Sequence, residues 1–130
     1  MRCTALLIED NDQNRYLATF LLEHAGYTVV SAADGPSGLA IALKHLPDVI
    51  LLDIQLPLMD GYAVARALRT TPSFASVPII AITSYAMSGD REKAFECGFT
   101  AYIEKPIDPQ AFIDQLLPYR AARHPAKESP

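Results

Sequence analysis

Cysteine and histidine are scarce in this chain, and neither forms a pattern. The two cysteines, Cys3 and Cys97, make no Cys-x-x-Cys pair. A disulfide scaffold or thiol redox motif is therefore not expected, and a reduced, cytoplasmic protein is the simpler reading. Both thiols are read as small buried apolar groups. His24, His45 and His124 are scattered, which argues against a zinc site. No apolar run approaches membrane-spanning length. The run after Arg2 is short and is interrupted by Glu9 and Asp10, so neither a signal peptide nor membrane attachment is expected. There is no basic stretch, and the net charge is −4. Nucleic acid is accordingly not an expected partner. No internal repeat is present.

What is present is a core. Half of the 130 residues are hydrophobic, as in a globular protein. That length suits one domain, which buries about 68% of its unfolded surface without a metal or disulfide staple. Apolar runs alternate with segments of helical period. Residues 3–8 read as a strand covered on both faces. Residues 11–25 read as a helix with Tyr16, Leu17, Phe20, Leu21 and His24 on one face, closed by Gly26. Residues 28–32 form a second strand. Asp34-Gly35-Pro36 opens the next helix, with Leu39, Ala42, Leu43 and Leu46 inward and Pro47 at its end. Residues 49–53 are the most hydrophobic strand, hence the central one. A loop over 54–60 precedes a helix over 61–69, and Thr71-Pro72-Ser73 breaks the chain. The fourth strand is 77–83. A weaker helix over 89–97 is stopped by Gly98, and 101–104 is the fifth strand. Asp108-Pro109 begins a last helix with Phe112, Ile113, Leu116 and Leu117 inward. Residues 120–130 lack an apolar pattern and read as a frayed tail. The expected division is one domain over 1–120 and a flexible tail over 121–130.

Five strands alternating with five helices predict an α/β fold, a parallel sheet between two helical layers with right-handed crossovers. Ligands of such sheets bind beyond the carboxyl ends of the strands. Each apolar run here ends there in a polar residue: Glu9-Asp10, Asp53, Thr83 and Lys105. Three gathered carboxylates repel one another unless positive charge lies between them. Lys105 supplies one charge, and a hard divalent cation such as Mg²⁺ supplies the rest. Its expected ligands are Asp10, Asp53 and a backbone carbonyl just after Asp53, with Glu9 acting through water. A carboxylate beside Mg²⁺ and a lysine can attack phosphorus and form an acyl phosphate. Asp53, ending the central strand, is the best placed nucleophile, and Thr83 can donate to a phosphoryl oxygen.

These residues carry a resemblance. Leu6-Leu7-Ile8-Glu9-Asp10-Asn11, Asp53-Ile54-Gln55-Leu56-Pro57-Leu58-Met59-Asp60-Gly61, Ala81-Ile82-Thr83-Ser84 and Lys105-Pro106 together resemble the receiver domain of bacterial two-component response regulators, the CheY-like superfamily. The likeness spans about residues 3–117. It implies a doubly wound, flavodoxin-like sheet in the order 2-1-3-4-5. It also implies that Asp53 accepts a phosphoryl group from a histidine kinase or phosphotransfer protein. Mg²⁺ would sit at Glu9, Asp10, Asp53 and the Gln55 carbonyl, and Thr83 and Lys105 would bind phosphoryl oxygens. The Lys105–Pro106 bond is often cis in the family. Tyr102 stands at the family's aromatic switch position, turning inward when Thr83 moves toward the phosphoryl group. Output would pass to a downstream protein through the surface of the fourth helix, fifth strand and fifth helix, a face through which the family also forms homodimers.

Glu9 stands where many relatives have Asp, which leaves water-mediated metal binding open. Gln55 and Tyr85 occupy positions that tune phosphoryl lifetime. A bulky Tyr85 restricts the attacking water, so the expected phosphorylated state is not among the shortest-lived. No helix-turn-helix is present. The chain reads as a single-domain regulator, a phosphorelay shuttle or the receiver of a hybrid kinase, and the initial Met and short tail favour the first.

Blander readings exist for each residue alone. Asp10 by itself reads as a helix N-cap, Thr83 as a strand end, Lys105 as a solvated charge, Tyr102 as core packing, and Met59 and Met87 as packing. Two other function classes stand beside the switch. An aspartate-nucleophile phosphatase usually carries a second Asp two residues on as acid and base, and Gln55 cannot take that role. A phosphorylation-independent adaptor would have lost an acidic residue or the lysine, and this chain retains them.

Overall fold

The computed structural model describes residues 3–84 and 90–127, with side chains described through residue 120. Five strands alternate with five α-helices: β1 (Thr4–Ile8), α1 (Asp12–His24), β2 (Thr28–Ala32), α2 (Gly35–His45), β3 (Val49–Asp53), α3 (Gly61–Arg69), β4 (Ile79–Thr83), α4 (Asp90–Glu96), β5 (Ala101–Glu104) and α5 (Phe112–Lys127). A 3-10 turn at Pro72–Phe74 joins α3 to β4. All pairings are parallel, in the order β2-β1-β3-β4-β5. Every residue of β3 and β4 is buried, as the apolar composition of those runs up to Asp53 and Thr83 demands.

Strand alternation divides the core in two. Leu6, Ile8, Ile50, Leu52, Ile79 and Ala81 face a layer holding Ala42 of α2, Val64 and Leu68 of α3 and Ala94 of α4. Ala5, Leu7, Val49, Leu51, Ile80 and Ile82 face α1 and α5 through Ala18, Leu22, Phe112 and Leu116. Cys3 and Cys97 are buried and are not joined in a disulfide.

Caps account for the helix boundaries. Asn11 caps α1 by accepting from Asn14 N–H at 2.8 Å. Asp34 caps α2 by accepting from Ser37 N–H, with Pro36 in the first turn. Asp60 caps α3 by accepting from Ala63 N–H. Gly26 follows α1 at φ +96°, the left-handed C′ conformation that glycine adopts without steric penalty.

Three expected helix faces are corrected. Tyr16 and Phe20 of α1 are 75% and 47% exposed, and Phe20 stacks on His24 with ring centroids 4.6 Å apart. The buried face is Ala18 and Leu22. On α2, Leu43 and Leu46 are exposed, whereas Gly35, Gly38 and Ala42 are buried. A Cβ on Gly38 would collide with the Ile8 side chain, so this helix rests on the sheet through its smallest residues. Leu46 is its left-handed C-cap. On α5, Phe112 and Leu116 are buried, while Leu117 faces solvent. That helix begins three residues after Pro109 and runs to Lys127, past the expected boundary at Arg120. Among the described residues no helix is long and apolar enough to cross a membrane.

Two polar residues not singled out by motif tie down the far edge of the sheet. Buried Asp48 accepts from Thr4 N–H at 2.8 Å, and its own N–H donates to the Thr4 carbonyl at 2.8 Å, aligning β1 with β3. Arg69, at the end of α3, donates to the carbonyls of Phe74 (2.6 Å), Val77 (2.7 Å) and Gly98 (2.8 Å) and to Thr100 Oγ1 (3.1 Å). Burial pushes its guanidinium below the ordinary arginine value. Arg69→Ala strands these carbonyls and should lower unfolding free energy by about 2–4 kcal/mol. Arg69→Lys should recover little, because an ammonium cannot span the same fork. Urea midpoints for both variants within error of wild type would refute this role.

Candidate functional site

The carboxyl ends of β1, β3, β4 and β5 converge as their alignment requires. Glu9 and Asp53 are buried, Asp10 is exposed, and one carboxylate oxygen from each lies within 4.8 Å of the others. Lys105 Nζ lies between two of them, 2.7 Å from Glu9 Oε1 and 2.9 Å from Asp53 Oδ2. The second oxygens accept backbone amides: Glu9 Oε2 from Asn11 N–H at 3.1 Å, and Asp53 Oδ1 from Gln55 N–H at 3.1 Å. Arg15 donates to the Glu9 carbonyl at 2.8 Å and pairs with Asp12 at 2.6 Å, anchoring the first turn of α1 beside the site. Asn11, not Asp10, caps α1, so capping does not account for Asp10.

Burial pushes the Glu9 carboxyl above the ordinary glutamate value, with the Asp53 charge adding to it and the hydrogen bonds from Lys105 and Asn11 pulling against. Burial also opposes the Lys105 charge, but hydrogen bonds to Glu9 and Asp53 outweigh it and hold the ammonium above the ordinary lysine value. Two carboxylates thus share one ammonium, with the third, that of Asp10, beside them. All donors in the cluster are hard oxygens, as Mg²⁺ demands, and the exposure of Asp10 leaves room for the waters that ion retains. The residues fit a magnesium ion.

Thr83 is fully buried at the end of β4, and its carbonyl accepts from Lys105 N–H at 2.8 Å. Tyr102 pairs in register with Ala81. Alternation therefore puts Thr83 and Tyr102 on the same sheet face, the side that α3 and α4 cover. Tyr102 is partly buried against that core, with the Arg91 guanidinium 5.9 Å from its ring centroid. Burial, then the Asp90 and Glu104 charges, push its phenol up, opposed by Arg91. The Lys105–Pro106 bond is cis. Gln55 is exposed on the wall of a cleft of about 580 Å³ that opens beside Asp10. Met59 is partly buried against the core. Tyr85 and Met87 lie outside the described residues.

Gly61 sets how closely α3 approaches β3. Its N–H donates to the Ile54 carbonyl at 2.7 Å. A Cβ there would collide with the Asp53 carbonyl oxygen and sit 2.6 Å from Ile54 Cα. Gly61→Ala should lower unfolding free energy by roughly 2 kcal/mol, because backbone cannot yield as a side-chain tip can. An unshifted urea midpoint would contradict that.

Comparison with known proteins decides what this edge belongs to. Residues 5–117 match the family described as the response regulator receiver domain. The chain belongs to this family. As a receiver domain it is a component of two-component signal transduction. It is 38% identical over 116 residues to the polar-differentiation response regulator DivK of Brucella anthropi, covering 89% of this chain and 94% of DivK. The fold is similar to the chemotaxis protein CheY4 of Vibrio cholerae, with TM-score 0.88, 28% identity and coverage of 92% of this chain and 99% of CheY4. It is similar also to the receiver domain of the Pseudomonas aeruginosa sensor histidine kinase PA1611, with TM-score 0.86 and 34% identity over 94% of this chain and 100% of that one. The PA1611 receiver carries a magnesium ion coordinated in its active site cleft.

The strand-end residues of this receiver were legible in the sequence. Asp48 and Arg69 were not, since both act on backbone groups and belong to no motif. A buried acid opening a strand and an arginine closing a helix are weak signals that only packing makes specific.

Proposed function

We propose that this receiver is a phosphoryl-accepting switch with Asp53 as the phosphoacceptor. The observation that carries this is the Lys105 ammonium, 2.7 Å from Glu9 and 2.9 Å from Asp53, with Asp10 open to the cleft beside them. An Asp53 oxygen forms a bond to phosphorus as the donor's N–P bond breaks, and the departing imidazole nitrogen keeps the electron pair. Lys105 pairs with Asp53 before transfer and donates to a phosphoryl oxygen afterwards. Glu9, Asp10, Asp53 and the Gln55 carbonyl would hold Mg²⁺, which when bound neutralises charge on the phosphoryl oxygens. The donor is a histidine kinase or a histidine phosphotransfer protein.

Thr83 donates its hydroxyl to a phosphoryl oxygen. Its displacement frees space on the face it shares with Tyr102, whose ring follows and reshapes the surface of α4, β5 and α5. A downstream protein reads that surface in the cytoplasm, and a homodimer through it is compatible with the same change. Residues 1–120 are the functional unit. The relatedness to DivK favours a free-standing regulator. The likeness to the PA1611 receiver supports a second reading, a receiver module of a hybrid histidine kinase or a phosphorelay shuttle.

The test is incubation with Mg²⁺ and phosphoramidate. One phosphoryl group gained on Asp53 supports the switch. Sustained turnover of the donor would instead indicate a phosphatase, and no reaction a phosphorylation-independent adaptor.

A further inference from the structure

The helix α4 is short, and its buried side chain is that of Ala94. Two cations on it reach tyrosine rings of neighbouring elements. Lys93 Nζ lies 4.4 Å from the ring centroid of Tyr62 on α3. The Arg91 guanidinium lies 5.9 Å from the centroid of Tyr102 on β5, and 5.9 Å from that of Phe95, one turn along its own helix. Both cations are within the range over which a ring quadrupole attracts positive charge, and an exposed pair of this kind shifts an equilibrium about two- to fivefold. Burial first and the Asp90 charge second push both phenols up, so both lie near the start of this helix.

The two pairs differ in what the ring can do. Tyr62 packs edge-on against buried Phe99, with centroids 6.5 Å apart and ring planes at 86°. Tyr102 stands on the outermost strand, partly exposed, on the same sheet face as Thr83. Arg91 is exposed. Its guanidinium cannot follow the Tyr102 ring into an apolar core without losing water, a cost that contact with one ring does not return. The ring therefore gives up Arg91 whenever it turns inward, while Phe95 keeps the guanidinium in place for its return. We infer that Arg91 is a positioning residue that holds Tyr102 in its partly exposed position and so raises the threshold of the switch. Lys93, over a ring fixed by Phe99, seats the helix and leaves the threshold alone. This inference rests on the reading of Tyr102 as the ring that follows Thr83. By linkage, weakening the resting position of the ring strengthens binding of a phosphoryl group or its mimic at Asp53 by the same factor.

The probe is beryllofluoride at saturating Mg²⁺, read by ¹⁹F spectra of the chain labelled with 3-fluorotyrosine. Six tyrosines contribute signals, and Tyr102→Phe assigns the one at issue. Arg91→Met keeps the stem and removes the charge. It should lower the beryllofluoride dissociation constant about two- to fivefold and move the Tyr102 signal of the ligand-free chain toward its ligand-bound position. Arg91→Lys should fall between, since an ammonium does not stack on a ring as a planar guanidinium does. Lys93→Met should leave both readings within error of wild type. In a Tyr102→Leu background, Arg91→Met should no longer change the affinity. Unchanged or weakened affinity in Arg91→Met overturns the inference. So does an equal effect of Lys93→Met, which would assign both cations to seating the helix, and so does an undiminished effect in the Tyr102→Leu background. A wild-type Tyr102 signal that ignores bound beryllofluoride would instead overturn the switch reading, and a wild-type chain that binds none would overturn Asp53 as phosphoacceptor.

Discussion

Asp53→Asn should abolish phosphorylation, leaving less than about 1% of the wild-type adduct after incubation with Mg²⁺ and phosphoramidate. An amide oxygen is a far weaker nucleophile than a carboxylate, and no neighbour takes its place. Glu9 is buried and already engaged by Lys105 and Asn11. Asp10 is exposed, outside the grip of the ammonium as drawn by the ion pairs. The fold should survive. Asparagine can still accept from Gln55 N–H through its side-chain oxygen, and one repulsive charge leaves the acidic cluster. Stability without metal should stay within about 1 kcal/mol of wild type, whereas Mg²⁺ affinity should fall as a charged ligand is lost. Intact mass and thermal unfolding, with and without Mg²⁺, separate the two effects. A variant that still gains one phosphoryl group at another carboxylate would remove Asp53 from the centre of the mechanism.

Lys105→Met should damage both chemistry and folding. Methionine fills much of the lysine stem but leaves Glu9 and Asp53 buried without their shared cation. Breaking a buried pair costs about 3–5 kcal/mol, and the partial solvent access of Lys105 brings the expectation down to roughly 2–3 kcal/mol. The deficit should depend on pH with a definite sign. Glu9 already binds its proton more tightly in the folded chain than the ordinary value of 4.5, chiefly through burial. Its contribution to stability is therefore fully present below that pH and lost as pH rises through the folded value. Removing the ammonium strengthens the effect, so the variant should approach wild type in acid and fall away toward neutrality. Added Mg²⁺ should restore part of the loss at neutral pH, since it supplies the missing positive charge. Urea unfolding at several pH values reads all of this. A deficit independent of both pH and Mg²⁺ would point to lost packing rather than to unpaired carboxylates.

The site was easier to read from the sequence than the surfaces of the helices, and the reason is physical. A strand buried on both faces has to be apolar throughout, so a charged residue at its end marks the point where the chain leaves the sheet. Parallel pairing then brings Glu9, Asp53, Thr83 and Lys105 to one edge whatever the helices do. Helix phase has no comparable marker when apolar residues lie on more than one side. Tyr16 and Phe20 look like a core stripe by spacing, yet α1 buries Ala18 and Leu22. The same holds on α2, where Gly35, Gly38 and Ala42 allow a close approach that hydrophobicity undervalues. Leu58 shows a further limit. Its exposure and left-handed backbone emerge only from the path of the loop between Asp53 and Gly61.

The most direct measurement is a crystal structure, or a ¹⁹F spectrum, of the chain with Mg²⁺ and beryllofluoride. Beryllium should bond to one carboxylate oxygen of Asp53, with fluorines facing the Lys105 ammonium and the Thr83 hydroxyl. Asp53 left bare at saturating beryllofluoride, or the adduct found on Glu9 or Asp10, would contradict the account.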